Sequence, residues 1–301
     1  MTNNYQLYHR IQDIGRRIRT LHRDQTLAVG IIAVENGDSL ATSIDQLCDQ
    51  FSSMSLFVLM HQGQGDVLSL RNRFAKINFI VFSEPASFAS MANVLANESY
   101  STYFLLTRSD LRQKSIDIEA SIQLLHRSDR PVAITAHLTN RLGESIPIIQ
   151  APFIRKELLD PLSFMPSGTL EPTLYPFLGV GLYERALFQR IRGFDELIET
   201  EYWQQLDFGL RCWLYGYPIL CNPAMNWFFP QRQFIIEDRT CVGGIVRVHT
   251  KALGVRQMNG KNYPKRGGKY FDSELFKEVK KRLALYKNDF TQLMDKWEVP
   301  S

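Results

Sequence analysis

Four short apolar runs, TLAVGIIAV from Thr26, MSLFVLMH from Met54, INFIVF from Ile77 and STYFLLT from Ser101, follow one another at nearly even spacing. Each is too short for a buried helix and apolar on both alternating faces, which is how strands covered on both sides of a parallel sheet read. Between them, 39–52, 66–75 and 86–98 carry helical spacing behind turn-forming starts. The first hundred residues therefore predict successive βα units of a doubly wound α/β sheet. Such a sheet binds its ligands beyond the C-terminal ends of its strands. Those ends are Glu35-Asn36, His61-Gln62-Gly63, Ser83-Glu84 and Thr107-Arg108-Ser109-Asp110.

The rest of the chain is more mixed. A helix near 113–127 precedes the strand PVAITAHL, and a Pro-rich stretch at 161–176 shows little periodicity. FLGVGLYERALFQRI reads as a strand entering a helix, followed by GFDE, a helix at about 201–215 and the strand YPILCN. The tail holds a basic loop, KNYPKRGGKY, and helical 272–297. At the other end, Leu7, Ile11, Ile14, Ile18 and Leu21 stand at alternating spacings of four and three, predicting an amphipathic helix with Arg10, Arg16, Arg17, Arg19 and Arg23 on its other side. It reads as docked on the domain, with a basic face toward solvent, a membrane surface or a protein partner. The expected division is 1–24 for this helix, 25–250 for the main domain and 251–301 for the basic loop and C-terminal helices.

With 301 residues and 45% hydrophobic content, the chain is long enough for one large core. A net charge of +4 from 35 basic and 31 acidic residues gives no reason to expect nucleic acid. Cys48, Cys212, Cys221 and Cys241 have neither zinc-ligand nor disulfide-framework spacing, which suits a reducing cytosol. No apolar run approaches the ~20 residues of a membrane span, and the Arg-rich N-terminus lacks an apolar signal segment. The expectation is a cytoplasmic protein, peripheral at most at the inner face of a membrane.

GVGLYERALFQRIRGFDE resembles the acceptor-side segment of the family 2 GT-A glycosyltransferases, and the resemblance runs from about Leu27 to His249. AVEN supplies an Asn36 where the family ends its first strand, and His61-Gln62-Gly63-Gln64-Gly65-Asp66 is similar to its acidic second-strand turn. Asn93 on a helix matches a family Asn. The resemblance implies a GT-A fold, a mixed but mostly parallel sheet flanked by helices. It also implies sugar transfer from a nucleotide-sugar donor to a glycan, lipid-linked or protein acceptor. Donor contacts then fall on Asn36, His61, Gln62, Asp66, Asn93, Arg108 and Asp110.

Two substitutions run against that activity. Where the family carries its DxD motif, which holds Mn²⁺ or Mg²⁺ at the diphosphate, this chain reads Thr107-Arg108-Ser109-Asp110. Where the family carries a Glu-Asp pair, the register of DFGLRCWLYGY fixes Gln204 and Gln205. An acceptor hydroxyl needs a carboxylate to take its proton, and an amide cannot serve. Candidate replacements are Arg108 as a metal-free cation for the diphosphate, Asp110 and His249 as metal ligands, and Glu201, one helical turn before Gln205, as a displaced base beside Asp207. Each has a plainer reading. Asp110 can cap a turn, Glu201 suits a helix N-terminus, and Asp207 with Arg211 on the acceptor side can be an i,i+4 ion pair. The alternative to an enzyme is an inactive pseudo-glycosyltransferase that binds or scaffolds in glycan assembly; a nucleotidyltransferase fits GFDE less well.

Overall fold

A computed structural model describes residues 4–11, 26–34, 40–240, 242–266 and 268–298. The elements in its first part are β1 (Tyr5–Tyr8), β2 (Leu27–Ile32), α1 (Leu40–Gln50), β3 (Ser55–His61), α2 (Val67–Arg73), β4 (Ile77–Phe82), α3 (Phe88–Glu98) and β5 (Tyr103–Arg108). Next come β6 (Arg112–Ser115), α4 (Ile118–Leu125), β7 (Ala133–Thr139), and the short strands β8 (Ile149–Ala151), β9 (Ile154–Arg155), β10 (Leu158–Leu159), β11 (Leu162–Phe164) and β12 (Glu171–Pro172). After these lie β13 (Gly181–Glu184), α5 (Arg185–Arg190), α6 (Glu201–Leu214), β14 (Ile219–Phe228), α7 (Ile245–Leu253), the hairpin β15 (Val255–Met258) and β16 (Lys261–Pro264), α8 (Ser273–Lys281) and α9 (Phe290–Asp295).

One large sheet runs β1-β4-β3-β2-β5-β13-β7-β14-β12, with β6 pairing β14. β4, β3, β2 and β5 are mutually parallel. β13 inserts antiparallel between β5 and β7, and β14 runs parallel to β7. Strands β2 to β5 are buried along their whole length apart from the last residue of β3, as their unbroken apolar character requires. Phe104 and Leu106 of β5 face a core shared with α3 and α6, while Tyr103 and Leu105 face the α1 and α4 side.

The α6 helix is fixed from beneath by an aromatic cluster. Phe208 packs on Phe194 with ring centroids 4.6 Å apart, and Phe104 stacks on Tyr183 at 4.9 Å. Gly216 ends the helix with a left-handed φ of 84°, and Tyr217 N–H returns to the Cys212 carbonyl at 2.9 Å. A residue with a Cβ is strained there, so the Gly of the WLYGY segment is a stop signal.

The N-terminal reading differs from the structure. Residues 5–8 form an edge strand antiparallel to β4, with Tyr5 opposite Phe82. Tyr5 and Leu7 pack on one core and Tyr8 on the other. Unpaired backbone groups on β4 outweigh the helical spacing, because an edge offers hydrogen bonds that four residues of helix cannot match. Residues 12–25, which carry most of the expected helix, lie outside the described residues. One further segment also differs: residues 112–115, at the start of the expected helix near 113–127, are a strand before α4. VRVHTKAL lies in the helix α7 despite its β-branched residues. Among the described residues no helix is long and apolar enough to cross a membrane.

Candidate functional site

The strand order reverses between β2 and β5, and a sheet of this kind places its ligand cleft where two such strands end. Ser109 ties the ends together. Its N–H donates to the Ile32 carbonyl at 2.9 Å, and its hydroxyl accepts from Val34 N–H at 2.9 Å. Ser43 of α1 donates to the Ser109 carbonyl at 2.7 Å. Thr107 shares the face of Tyr103 and Leu105 and is 1% exposed. Both residues at the DxD positions are therefore part of the scaffold on the α1 side. Gln64 closes the neighbouring corner, donating to the Ala33 carbonyl at 3.0 Å.

Arg108 projects from the opposite face, toward α6. Its Nη1 donates to Glu201 Oε1 at 2.9 Å and its Nε to Asp110 Oδ1 at 3.1 Å. Asp110 Oδ2 lies 2.9 Å from Nη2 of Arg232. Burial alone depresses the Arg108 pKa, but the charges of Glu201 and Asp110 outweigh it and hold the group above its ordinary value. Glu201 Oε1 also accepts from Gln205 Nε2 at 3.0 Å, and its side chain is 36% exposed. The result is a line of alternating charge, Glu201, Arg108, Asp110, Arg232, spanning the first turn of α6 to the segment after β14.

That last segment, 229–240, supplies groups the sequence reading missed. The side chain of Glu237 is buried, and its Oε2 accepts from the Tyr175 hydroxyl at 2.7 Å and from Arg239 Nη2 at 3.1 Å. Its other oxygen is buried without a protein partner among the described residues. Burial raises the Glu237 pKa, Tyr175 and Arg239 offset part of that, and the charge of Glu201 adds to it. Arg239 is fixed by the Pro161 carbonyl, Gln150 and Ser163, and its guanidinium lies 5.0 Å from the centroid of the Tyr202 ring, next to Glu201 in α6. The IEDR stretch carries no periodicity and no motif, so only the path of the chain brings it here.

The two glutamines have different roles. Gln204 is wholly buried; its Oε1 accepts from Ala89 N–H at 2.9 Å and its Nε2 donates to the Ile198 carbonyl at 2.6 Å. It joins the first turn of α3 to the segment before α6, and both ends of the amide are used. Gln205 is equally buried and steadies Glu201 through Nε2, leaving its own Oε1 without a partner among the described residues.

GFDE and its neighbours form the frame behind the cleft. Asn93 accepts from Phe194 N–H at 3.0 Å and donates to the Phe194 carbonyl and Glu196 Oε1 at 2.9 and 2.8 Å. Gly193 has φ 52°, and a Cβ there would fall 2.2 Å from Asn93 Oδ1. Arg211 donates to the Ile191 and Gly193 carbonyls and pairs with Asp207 at 2.7 Å. Asp207 in turn meets Lys251 at 2.7 Å, and Lys251 meets Asp195 at 2.5 Å. Burial pushes the Asp195 carboxyl up, but Lys251 and Arg247 prevail and hold it well below the usual carboxylate range. Asp207 is 1% exposed with both oxygens engaged inside this network.

The remaining donor-side residues are dispersed. His61 caps the turn after β3, accepting from Gly63 N–H, next to an exposed Gln62. Asp66 caps α2 through Leu68 N–H at 3.0 Å. Asn36 lies outside the described residues. His249 sits in α7, its Nε2 accepting from Leu159 N–H at 3.1 Å and its ring against Tyr270. Burial lowers its pKa to about 4. Asp110 and His249 share no contact, and among the described residues no group of three or more His, Cys, Asp or Glu could hold a metal. With Asp110 between two guanidinium groups and Thr107 and Ser109 built into the scaffold, the described residues of the strand end do not fit a divalent ion.

No family model and no curated protein matches the sequence. Solved structures do match the fold. The crystal structure of GalNAc-T7 with UDP, GalNAc and Mn²⁺ superposes with a TM-score of 0.62 at 11% identity, over 90% of this chain and 57% of that one. This chain has a GT-A glycosyltransferase fold. The chain spans 57% of that neighbour's length, and at such identity the likeness establishes the fold alone. The mannosyltransferase PcManGT from Pyrobaculum calidifontis, in complex with GDP-Man and Mn²⁺, matches with a TM-score of 0.49 at 12% identity, over 70% of this chain and 58% of that one. Within the GT-A fold, Arg108 at the end of β5 pairs with Glu201 on the first turn of α6.

Proposed function

We propose that this chain is a glycosyltransferase-like protein that takes a nucleotide-sugar in the strand-end cleft and moves the sugar to a glycan, lipid-linked or protein acceptor. One observation carries the reading: the Glu201 carboxylate, on the first turn of α6, reaches Arg108 at the end of β5 and remains partly open to solvent. Oε1 of Glu201 is held by Arg108 and Gln205, which leaves Oε2 to take the proton of an acceptor hydroxyl. As the acceptor oxygen bonds to the sugar, the bond from sugar to diphosphate breaks and the pair of electrons leaves with the diphosphate. Arg108, with Nη2 not engaged by either acid, offers that group a charge-assisted donor.

The experiment is calorimetric titration with UDP, GDP, CDP and dTDP sugars, with and without Mn²⁺, followed by product analysis with candidate acceptors. The reading requires one donor to bind and to be consumed, and Arg108→Ala to weaken that donor. A second reading, a binding or scaffolding subunit in glycan assembly, draws support from Gln204, whose amide is spent at both ends on the scaffold. It requires donor binding or complex formation without sugar transfer or donor hydrolysis.

A further inference from the structure

A cavity of about 350 Å³ lies on the α7 side of the molecule, lined among others by His249, Lys265, Arg266, Lys269, Tyr270 and Glu157. None of the strand-end residues lines it. Its volume falls in the range of small-molecule sites. The basic loop that forms one wall is pinned at both ends. Lys265 N–H donates to the Gly254 carbonyl at 2.8 Å, and Asp272 N–H to the Thr250 hydroxyl at 2.9 Å.

Two of the cations of this wall lie against rings. Lys269 Nζ lies 5.2 Å from the centroid of Tyr270, and the Arg266 guanidinium lies 5.9 Å from that of Phe276. Neither these two nor Lys265 has a carboxylate partner among the described residues. Three cations against Glu157 leave a surplus of positive charge. His249 adds a donor, because Nε2 accepts from Leu159 N–H and the ring proton of the neutral form must therefore sit on Nδ1. Tyr270, Phe271, Ile154 and Leu253 supply an apolar wall.

We propose that this cavity binds a phosphate ester, with Lys265, Arg266 and Lys269 on the phosphate oxygens, His249 Nδ1–H as a fixed donor, and the aromatic wall against the ring or stem that carries the phosphate. Charge alone suits any anion. The surplus positive charge favours a doubly charged group, and a cavity of this size has room for an organic part beyond a bare phosphate. The site is separate from the strand-end cleft and independent of the transfer reaction.

The test titrates the full chain with glucose 1-phosphate by calorimetry, and in a second arm sediments it with phosphatidylcholine vesicles with and without phosphatidic acid. Binding in the first arm identifies a soluble ester; binding confined to phosphatidic acid vesicles identifies a lipid headgroup, and both support the site. Lys265→Glu with Lys269→Glu should weaken either by about a hundredfold, roughly tenfold for each charge-assisted hydrogen bond removed. Arg108→Ala should leave it unchanged. Circular dichroism and melting temperature check that the double variant is folded. Should the double variant misfold, the His249 ring resonances of the wild type must still move on adding whichever probe binds. Absence of binding in both arms, equal affinity in the folded double variant, or His249 resonances that do not move would overturn the proposal.

Discussion

Gln204→Glu would restore a family-like acid at a position the structure has given to the scaffold. Oε1 of Gln204 accepts from Ala89 N–H, and Nε2 donates to the Ile198 carbonyl at 2.6 Å. An ionised glutamate keeps the first bond but sets a carboxylate oxygen against a carbonyl oxygen in a site with no exposure. An uncompensated buried charge costs about 3–5 kcal/mol. The alternative is to stay protonated and donate O–H to Ile198. For a carboxyl of ordinary pKa about 4.3, this costs about 3.7 kcal/mol at pH 7, at about 1.36 kcal/mol per pH unit. The two routes cost about the same, so the variant loses about 3–4 kcal/mol at pH 7, a large part of a typical domain stability of about 5–15 kcal/mol. The folded-state pKa of the new Glu is raised, so above about 4.3 the unfolded chain binds fewer protons than the native one, and stability falls as pH rises. Urea denaturation of wild type and variant from pH 4.5 to 7.5 should give a difference near zero at the acid end that grows by about 1.4 kcal/mol per pH unit until the native carboxyl ionises. A difference below about 1 kcal/mol at pH 7, or one independent of pH, would refute the two-ended role of Gln204.

If the chain transfers sugar, Glu201→Gln should lower turnover by about a hundredfold or more with donor affinity nearly intact, and steady-state kinetics with donor titration separates the two. If the strand end works without a divalent ion, donor affinity with and without EDTA should agree within about twofold; affinity that vanishes on chelation would contradict the reading of Arg108. Asp207→Asn strips a buried partner from Arg211 and Lys251, and chemical denaturation should show a loss of about 3–5 kcal/mol, with Lys251 still paired to Asp195. His249 titrates near 4 in the native chain against about 6.5 unfolded, so its contribution is full above about pH 6.5 and is lost as pH falls toward about 4. The melting temperature of His249→Gln should fall less steeply over that window than that of the wild type.

The βα alternation is legible in the sequence alone, because strands buried on both faces must be apolar without a break, and β2 to β5 are. The sequence also located α6, whose Gly216 stop and Arg211–Asp207 spacing are local signals, and it put Arg108 at a strand end and Glu201 on a first helical turn. It could not decide what those side chains meet. Asn93 reads as a donor contact in the sequence, and only the packing of α3 against residues 193–196 commits its amide to Phe194 and Glu196. VRVHTKAL favours a strand by its β-branched residues, yet burial of Val248, His249 and Ala252 against α6 and α8 makes it a helix, since tertiary packing outweighs the few tenths of a kcal/mol per residue at stake in propensity. Glu237 shows the limit most plainly. An acid in an aperiodic stretch has no local signature, and it joins Tyr175, Arg239 and the neighbourhood of Glu201 only because the chain leaving β14 returns past them and past Asp110, long-range contacts that no window of sequence contains.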